Sequence, residues 1–279
     1  MVPSWLWVVF TLVGATGQSL RNAAQQSLSG RLGTVGATHV RFLFGLPFGM
    51  LALVAVGMVY GGLPAPTLAS LAWTIFGGLT QIAATALMLA TMRERSFVVT
   101  TAYTKTEPVQ VALFSIVFLG EHVGIGLGIA VVLATAGVIV LSWPSRAGRV
   151  AWTWRPALLG ILSGGLFALS AIGFRGGILA LGEVDFVPAA TLTLALSLTF
   201  QTILLSAWLA LRSPDVLRAI GRAWRQSLAA GFLGSFASEM WFLAFALETP
   251  AKVRTLGLVE IIVAGMISRR LFAQTTGIR

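Results

Sequence analysis

The chain contains no cysteine, which excludes disulfides, thiolate metal sites, iron–sulfur clusters and thiol nucleophiles. Charge is scarce as well. Asp, Glu, Lys and Arg make up 10% of its 279 residues, against about a quarter in soluble domains. Lysine occurs only at Lys105 and Lys252, and histidine only at His39 and His122. Neither histidine stands at metal-ligand spacing from an acid, and no aspartate falls inside an apolar run. A membrane-embedded enzyme needs a convergent nucleophile, metal or acid–base cluster, so these absences count against one. Nothing resembles a nucleotide-binding loop, since "GIGLG" (124–128) does not sit between a strand and a helix. Primary active transport by this chain alone is thereby excluded.

What fills the chain instead is apolar: 57% of residues are hydrophobic and mean hydropathy is +0.89. Several runs exceed the ~20 residues needed to cross a ~30 Å hydrocarbon core. Examples are 68–92 and 186–211. The composition predicts an all-α polytopic membrane protein with spans near 4–24, 37–60, 68–92, 97–119, 123–142, 157–181, 186–211, 227–247 and 251–272. The N-terminal run lacks a basic leading segment and carries Trp5 and Trp7 as interfacial anchors, so it reads as a first span and not a signal peptide. The link 143–156, with Trp143, Trp152 and Trp154, is expected along the interface.

A net charge of +10 would suggest nucleic acid in a soluble protein. Here all but the two lysines are arginine, and most arginines lie in short loops, the pattern of the positive-inside rule. Arg21 and Arg31 follow the first span, Arg93 and Arg95 the third, and Arg146, Arg149 and Arg155 the fifth. Arg212, Arg218, Arg222 and Arg225 follow the seventh, and Arg269, Arg270 and Arg279 the ninth. This alternation places the N-terminus outside and the C-terminus in the cytoplasm of a cell whose plasma (inner) membrane holds the protein. No nucleic acid, cofactor or metal is expected. The expected partners are a small solute, the lipid bilayer and, for a homodimer, a second copy of the chain.

Shifting the chain by about 153 residues superposes the span pattern of 1–126 on 154–279. Pro3 falls on Pro156, Thr38 on Thr191, Gly78 on Gly231 and Glu107 on Glu260. Five spans per repeat is an odd number, so the second copy enters the membrane inverted, which is a transporter architecture with a site near the midplane. The partner of the fifth span would begin at about 276, so the second repeat is read as lacking its last helix. The division expected is 1–142, a linker at 143–156, and 157–279.

Two stretches carry a family resemblance: "GATHVRFLFGLPFGML" (36–51), in which Arg41 opens the second span, and "TEPVQVALFSIVFLGEHVGIGLGIAVVLATAGVIVL" (106–141). The second has a proline in the fourth span, an acidic "GE" at its end and a glycine-rich fifth helix. In these the chain resembles the EamA-like branch of the drug/metabolite transporter superfamily. The resemblance implies ten helices in two inverted five-helix bundles, with export or exchange of metabolites or drugs. It also implies a cytoplasmic N-terminus, opposite to the arginine pattern. Ala273-Gln274 stands where the first repeat has Gly120-Glu121.

Glu107 lies ten residues into its span, or ~15 Å deep at 1.5 Å per residue, where an isolated charge costs at least ~2.5–3.5 kcal/mol. A polar cavity or a partner must surround it. Lys105 is two positions away and cannot pair with it along one helix. Tyr103 and Thr104 share the Glu107 face, and Pro108 frees a carbonyl about one turn earlier. Glu260 takes the same depth by repeat symmetry, with Arg254 roughly two turns before it. Glu239 is mid-span beside Trp241. The expected solute-binding residues are Tyr103, Lys105, Glu107, Glu260, Glu239, Arg41, Trp241 and Arg254, with Glu107 and Glu260 as candidates for proton coupling. A cationic group could meet the carboxylates, and a substrate carboxylate could meet Lys105, Arg41 and Arg254. Structural ion pairing is the bland counterpart of both. The function expected is secondary transport by alternating access. The alternatives are a non-transporting or partner-dependent subunit and, less favoured, a membrane-embedded enzyme.

Overall fold

The computed structural model describes residues 2–95, 97–120, 122, 124–141 and 154–271. Most of the expected linker, and the place where a tenth helix would start, lie outside them. The described residues form helices and no strand: α1 Leu6–Leu43, α2 Leu46–Tyr60, α3 Leu68–Glu94, α4 Phe97–Thr104, α5 Glu107–Leu119 and α6 Ile125–Leu141. There follow α7 Trp154–Leu179, α8 Phe186–Arg212, α9 Pro214–Arg222, α10 Trp224–Leu247, α11 Pro250–Leu256, a 3-10 turn at Gly257–Val259, and α12 Glu260–Leu271.

The interior combines buried apolar clusters with charged and polar groups that a soluble domain keeps at its surface. Arg21, His39 and Gln25 are among its largest fully buried side chains, while Leu51, Met58, Val59, Val117 and Leu211 are exposed. Polar interior with apolar exterior is stable only where lipid is the solvent. Five helical stretches are long and apolar enough to cross a membrane, with α1 and α2 counted together; α5 and α6 are shorter apolar helices. This is an integral, multi-pass membrane protein.

Three departures from the expected spans matter. The first two spans share the helix α1, whose helical geometry is interrupted inside only at Gly33 (φ 69°, ψ 176°). Positive φ costs a side-chain-bearing residue a steric clash and glycine none. The chain bends sharply back there, because Gln25 Nε2 donates to Ala37 O at 3.0 Å. In a straight helix those residues would be ~18 Å apart. The expected loop 25–36 is therefore helix almost throughout. The fourth and ninth spans depart the other way, each broken in the middle. A surface helix, α9, occupies the loop after the seventh span, with Arg218 and Arg222 outward and Ile220 inward.

Close backbone approach holds the centre together. A Cβ on Gly173 of α7 would stand 2.6 Å from Gly77 Cα of α3, so small residues let these helices pack without a gap. Phe174 of α7 stacks obliquely on Phe242 of α10, ring centroids 4.4 Å apart. These two contacts frame the polar interior.

Candidate functional site

The breaks in the fourth and ninth spans create the site. In the first, α4 ends at Thr104 and α5 begins at Glu107, leaving Lys105 and Thr106 between them. Pro108 sits in the opening turn of α5, where its missing N–H is not needed. It therefore starts a helix instead of loosening one. In the second, α11 gives way to the 3-10 turn and α12 begins at Glu260. Both glutamates occupy the first turn of a half-helix, where the positive end of the helix dipole favours a carboxylate. The first break rests on α7, since a Cβ on Gly164 would lie 2.8 Å from Thr104 O.

The two breaks exchange counter-charges. Lys105 Nζ meets Glu260 Oε2 at 2.6 Å, and Arg254 Nε of α11 lies 3.1 Å from Glu107 Oε1. All four side chains are buried. In the Lys105–Glu260 pair both carboxylate oxygens accept: Gln18 Nε2 donates to Oε2 at 2.7 Å beside Lys105, and Asn22 Nδ2 to Oε1 at 3.2 Å. The Glu107–Arg254 pair is looser. Its charges are in reach, yet neither Glu107 Oε1 nor Arg254 Nε completes a hydrogen bond. Arg254 also lies over the Trp241 ring, 4.2 Å from its centroid.

Two further cations stand beside these pairs. Arg21 donates through Nε and Nη2 to Asn22 Oδ1 at 3.1 and 2.7 Å. Arg41 reaches only two hydroxyls, Thr85 Oγ1 at 3.3 Å and Ser238 Oγ at 3.2 Å. Among the described residues neither has a carboxylate within ion-pair distance. Arg21, Arg41 and Arg254 are close enough for their charges to repel one another. A narrow cavity lies among Gln18, Arg41, Gln81, Ser238, Trp241 and Arg254, walled by phenylalanines of α7 and α10. It leaves room for roughly one water molecule.

Residues 5–143 match the model of the EamA-like transporter family. The chain belongs to that family. No curated protein matches it. A solved structure titled "Crystal structure of protein" covers 98% of this chain and 89% of its own at 17% identity, with a TM-score of 0.68. At that identity the likeness is one of fold.

This EamA-like transporter gathers five of the eight expected site residues into the charge network: Lys105, Glu107, Arg254, Glu260 and Arg41. Trp241 joins through the Arg254 contact. Tyr103 and Glu239 stand apart. Tyr103 packs its Cβ where a side chain on Gly160 of α7 would go. Glu239 Oε1 lies 2.6 Å from Thr191 Oγ1 of α8, and its Oε2 has no partner. No described cation is within ion-pair distance of Glu239.

Arg21 is the residue the sequence misplaced. It was expected among the loop charges that set orientation, yet it is 1% exposed. The run "RNAAQQSLSGR" (21–31) is polar enough to end a hydropathy window, and α1 continues through it. In the EamA-like transporter Gln18 and Asn22 bind Glu260, and Gln81 Oε1 accepts from Gln201 Nε2 at 2.9 Å.

Proposed function

We propose that this protein is a secondary transporter that carries a small solute across the inner membrane by alternating access, as an exporter or exchanger. The observation that carries the reading is the pair of half-helix breaks with their crossing ion pairs. Broken spans with charged half-helix ends at mid-membrane are how transporters present a polar site without exposing backbone to lipid. The two breaks stand 153 residues apart in equivalent positions, Glu107 opening α5 and Glu260 opening α12. That correspondence supports two inverted repeats, 1–142 and 157–279, and a nine-span arrangement. The site lies between them, and the halves rock about it.

The test is flux. Reconstituted in liposomes and offered labelled amino acids, organic acids and amphipathic drugs in turn, the protein is expected to move at least one of them without ATP. The variant Glu260→Gln, recovered in folded form, is expected to lose that flux. Wild-type flux in folded Glu260→Gln removes the helix breaks from the solute path.

A further inference from the structure

The charge of the buried site does not balance, and the imbalance has a sign. Arg21, Arg41, Lys105 and Arg254 are all at least nine-tenths buried, and among the described residues the buried acids that oppose them are Glu107 and Glu260. Arginine cannot discharge by losing a proton. A buried charge without a counter-ion costs several kcal/mol. The donors around the cavity are also short of acceptors. Arg41 Nε and Trp241 Nε1 are buried without a hydrogen-bond partner, Arg254 Nε has Glu107 Oε1 at 3.1 Å but completes no hydrogen bond to it, and all three residues line the same cavity. A carboxylate or other oxyanion is the group that satisfies both shortages, since it offers several acceptor sites and a negative charge. A cation would meet repulsion from three guanidinium groups. The remaining wall is aromatic, from Phe167, Phe174, Phe242, Phe245 and the Trp241 ring, which suits an apolar body.

We propose that the solute of this transporter is an organic anion whose acidic group docks between Arg41 and Arg254, against Trp241 Nε1, with its apolar body among the phenylalanines. This rests on the transport reading above. As the cavity admits only about one water, the structure is a contracted state that must widen to admit the solute.

The experiment measures the melting temperature of the detergent-purified protein with benzoate, phenylacetate and indole-3-acetate, each beside its uncharged amide, and with sodium chloride and sodium phosphate as ionic controls. At saturation at least one of the acids is expected to raise Tm by roughly 2–4 °C or more, and its amide is not. Arg41→Gln is expected to abolish that shift. It is also expected to raise the Tm of the ligand-free protein, because it removes a cation that has no carboxylate partner. Acid and amide acting alike, no shift with any of the acids, or an equal shift with chloride or phosphate would overturn the proposal. So would a fall in ligand-free Tm for Arg41→Gln. Should that variant fail to insert, the acid–amide comparison on the wild-type protein decides alone. Liposome flux keeps the two readings distinct. A stabilising acid that is never transported spares the anion site and defeats transport. Movement of a neutral or cationic solute, with no acid bound, does the reverse.

Discussion

Glu260 accepts from Lys105, Gln18 and Asn22, so removing its charge leaves a buried ammonium group without its counter-ion. We expect Glu260→Leu to lower stability by about 3–5 kcal/mol, the cost of breaking a buried pair from one side. Glu107→Leu strands Arg254 in the same way. Glu239 behaves differently. Thr191 Oγ1 faces both Glu239 Oε1 and Val187 O, and one hydroxyl proton cannot serve two acceptors. An amide at 239 supplies the missing donor and strands no cation. Glu239→Gln is therefore expected to leave stability within about 0.5 kcal/mol of wild type. Thermal melting of these three variants in one detergent checks the contrast. A loss of several kcal/mol in Glu239→Gln would mean a counter-ion reaches that carboxylate. At this scale the sequence was informative about depth and silent about partners. A glutamate inside an apolar run stands out by its transfer cost, whereas Lys105 and Glu260 are 155 residues apart, and no local spacing signals their contact.

At the scale of the element, what decides the site is where helices stop. The sequence showed Pro108 and the charges around it, but not that the backbone reforms as a new helix at Glu107. The ninth span gave less warning, because "KVRTLGLVE" (252–260) has a glycine and no proline at its break. In the structure the small-residue face of Gly160 and Gly164 on α7 receives the first break. A methyl at Gly164 would press on Thr104 O at 2.8 Å, and backbone cannot yield as a flexible side chain does. Gly164→Ala is expected to cost about 1–3 kcal/mol as an overpacking change. Gly126→Ala on exposed α6, with open space around its Cβ position, is expected to be neutral or slightly stabilising through helix propensity. Equal losses at both sites would show that Gly164 matters only as a flexible residue.

For the whole molecule, composition alone was enough for the class: scarce charge and long apolar runs leave lipid as the only solvent for such a surface. Orientation is less direct, because burial of Arg21 removes one of the charges on which the first loop was scored. Arg31 remains exposed there, as do Arg212, Arg218, Arg222 and Arg225 after the seventh span. We expect a reporter fused within that second group to behave as cytoplasmic and one inserted near Gly62 to report the outside. A cytoplasmic signal at Gly62 reverses the orientation to the one the family resemblance implies. The proposed repeat rests in sequence mainly on the paired glutamates. Identities at the 153-residue shift are few, since apolar side chains facing lipid are interchangeable.

The crossing pairs have one more consequence, concerning how the interior could come apart. On the proposed two-repeat reading, each half holds an acid and a base of its own near its break: Lys105 with Glu107, and Arg254 with Glu260. Parting the halves need not abandon four charges. Because Lys105 lies in the break between α4 and α5 and not on one helix with Glu107, the spacing that forbids their pairing along a helix does not bind them, and each acid is expected to exchange its partner across the divide for the base of its own half. Exchanging the two residues of the first half, Lys105→Glu with Glu107→Lys, preserves the home pairing but sets like charges against each other across the divide. The double variant is expected to rest with its halves parted. Because the native chain has no cysteine, a single Ser238→Cys can report this, reacting faster with a maleimide in the swapped protein than in the native background. Unchanged labelling would mean the pairs join the halves without governing their separation.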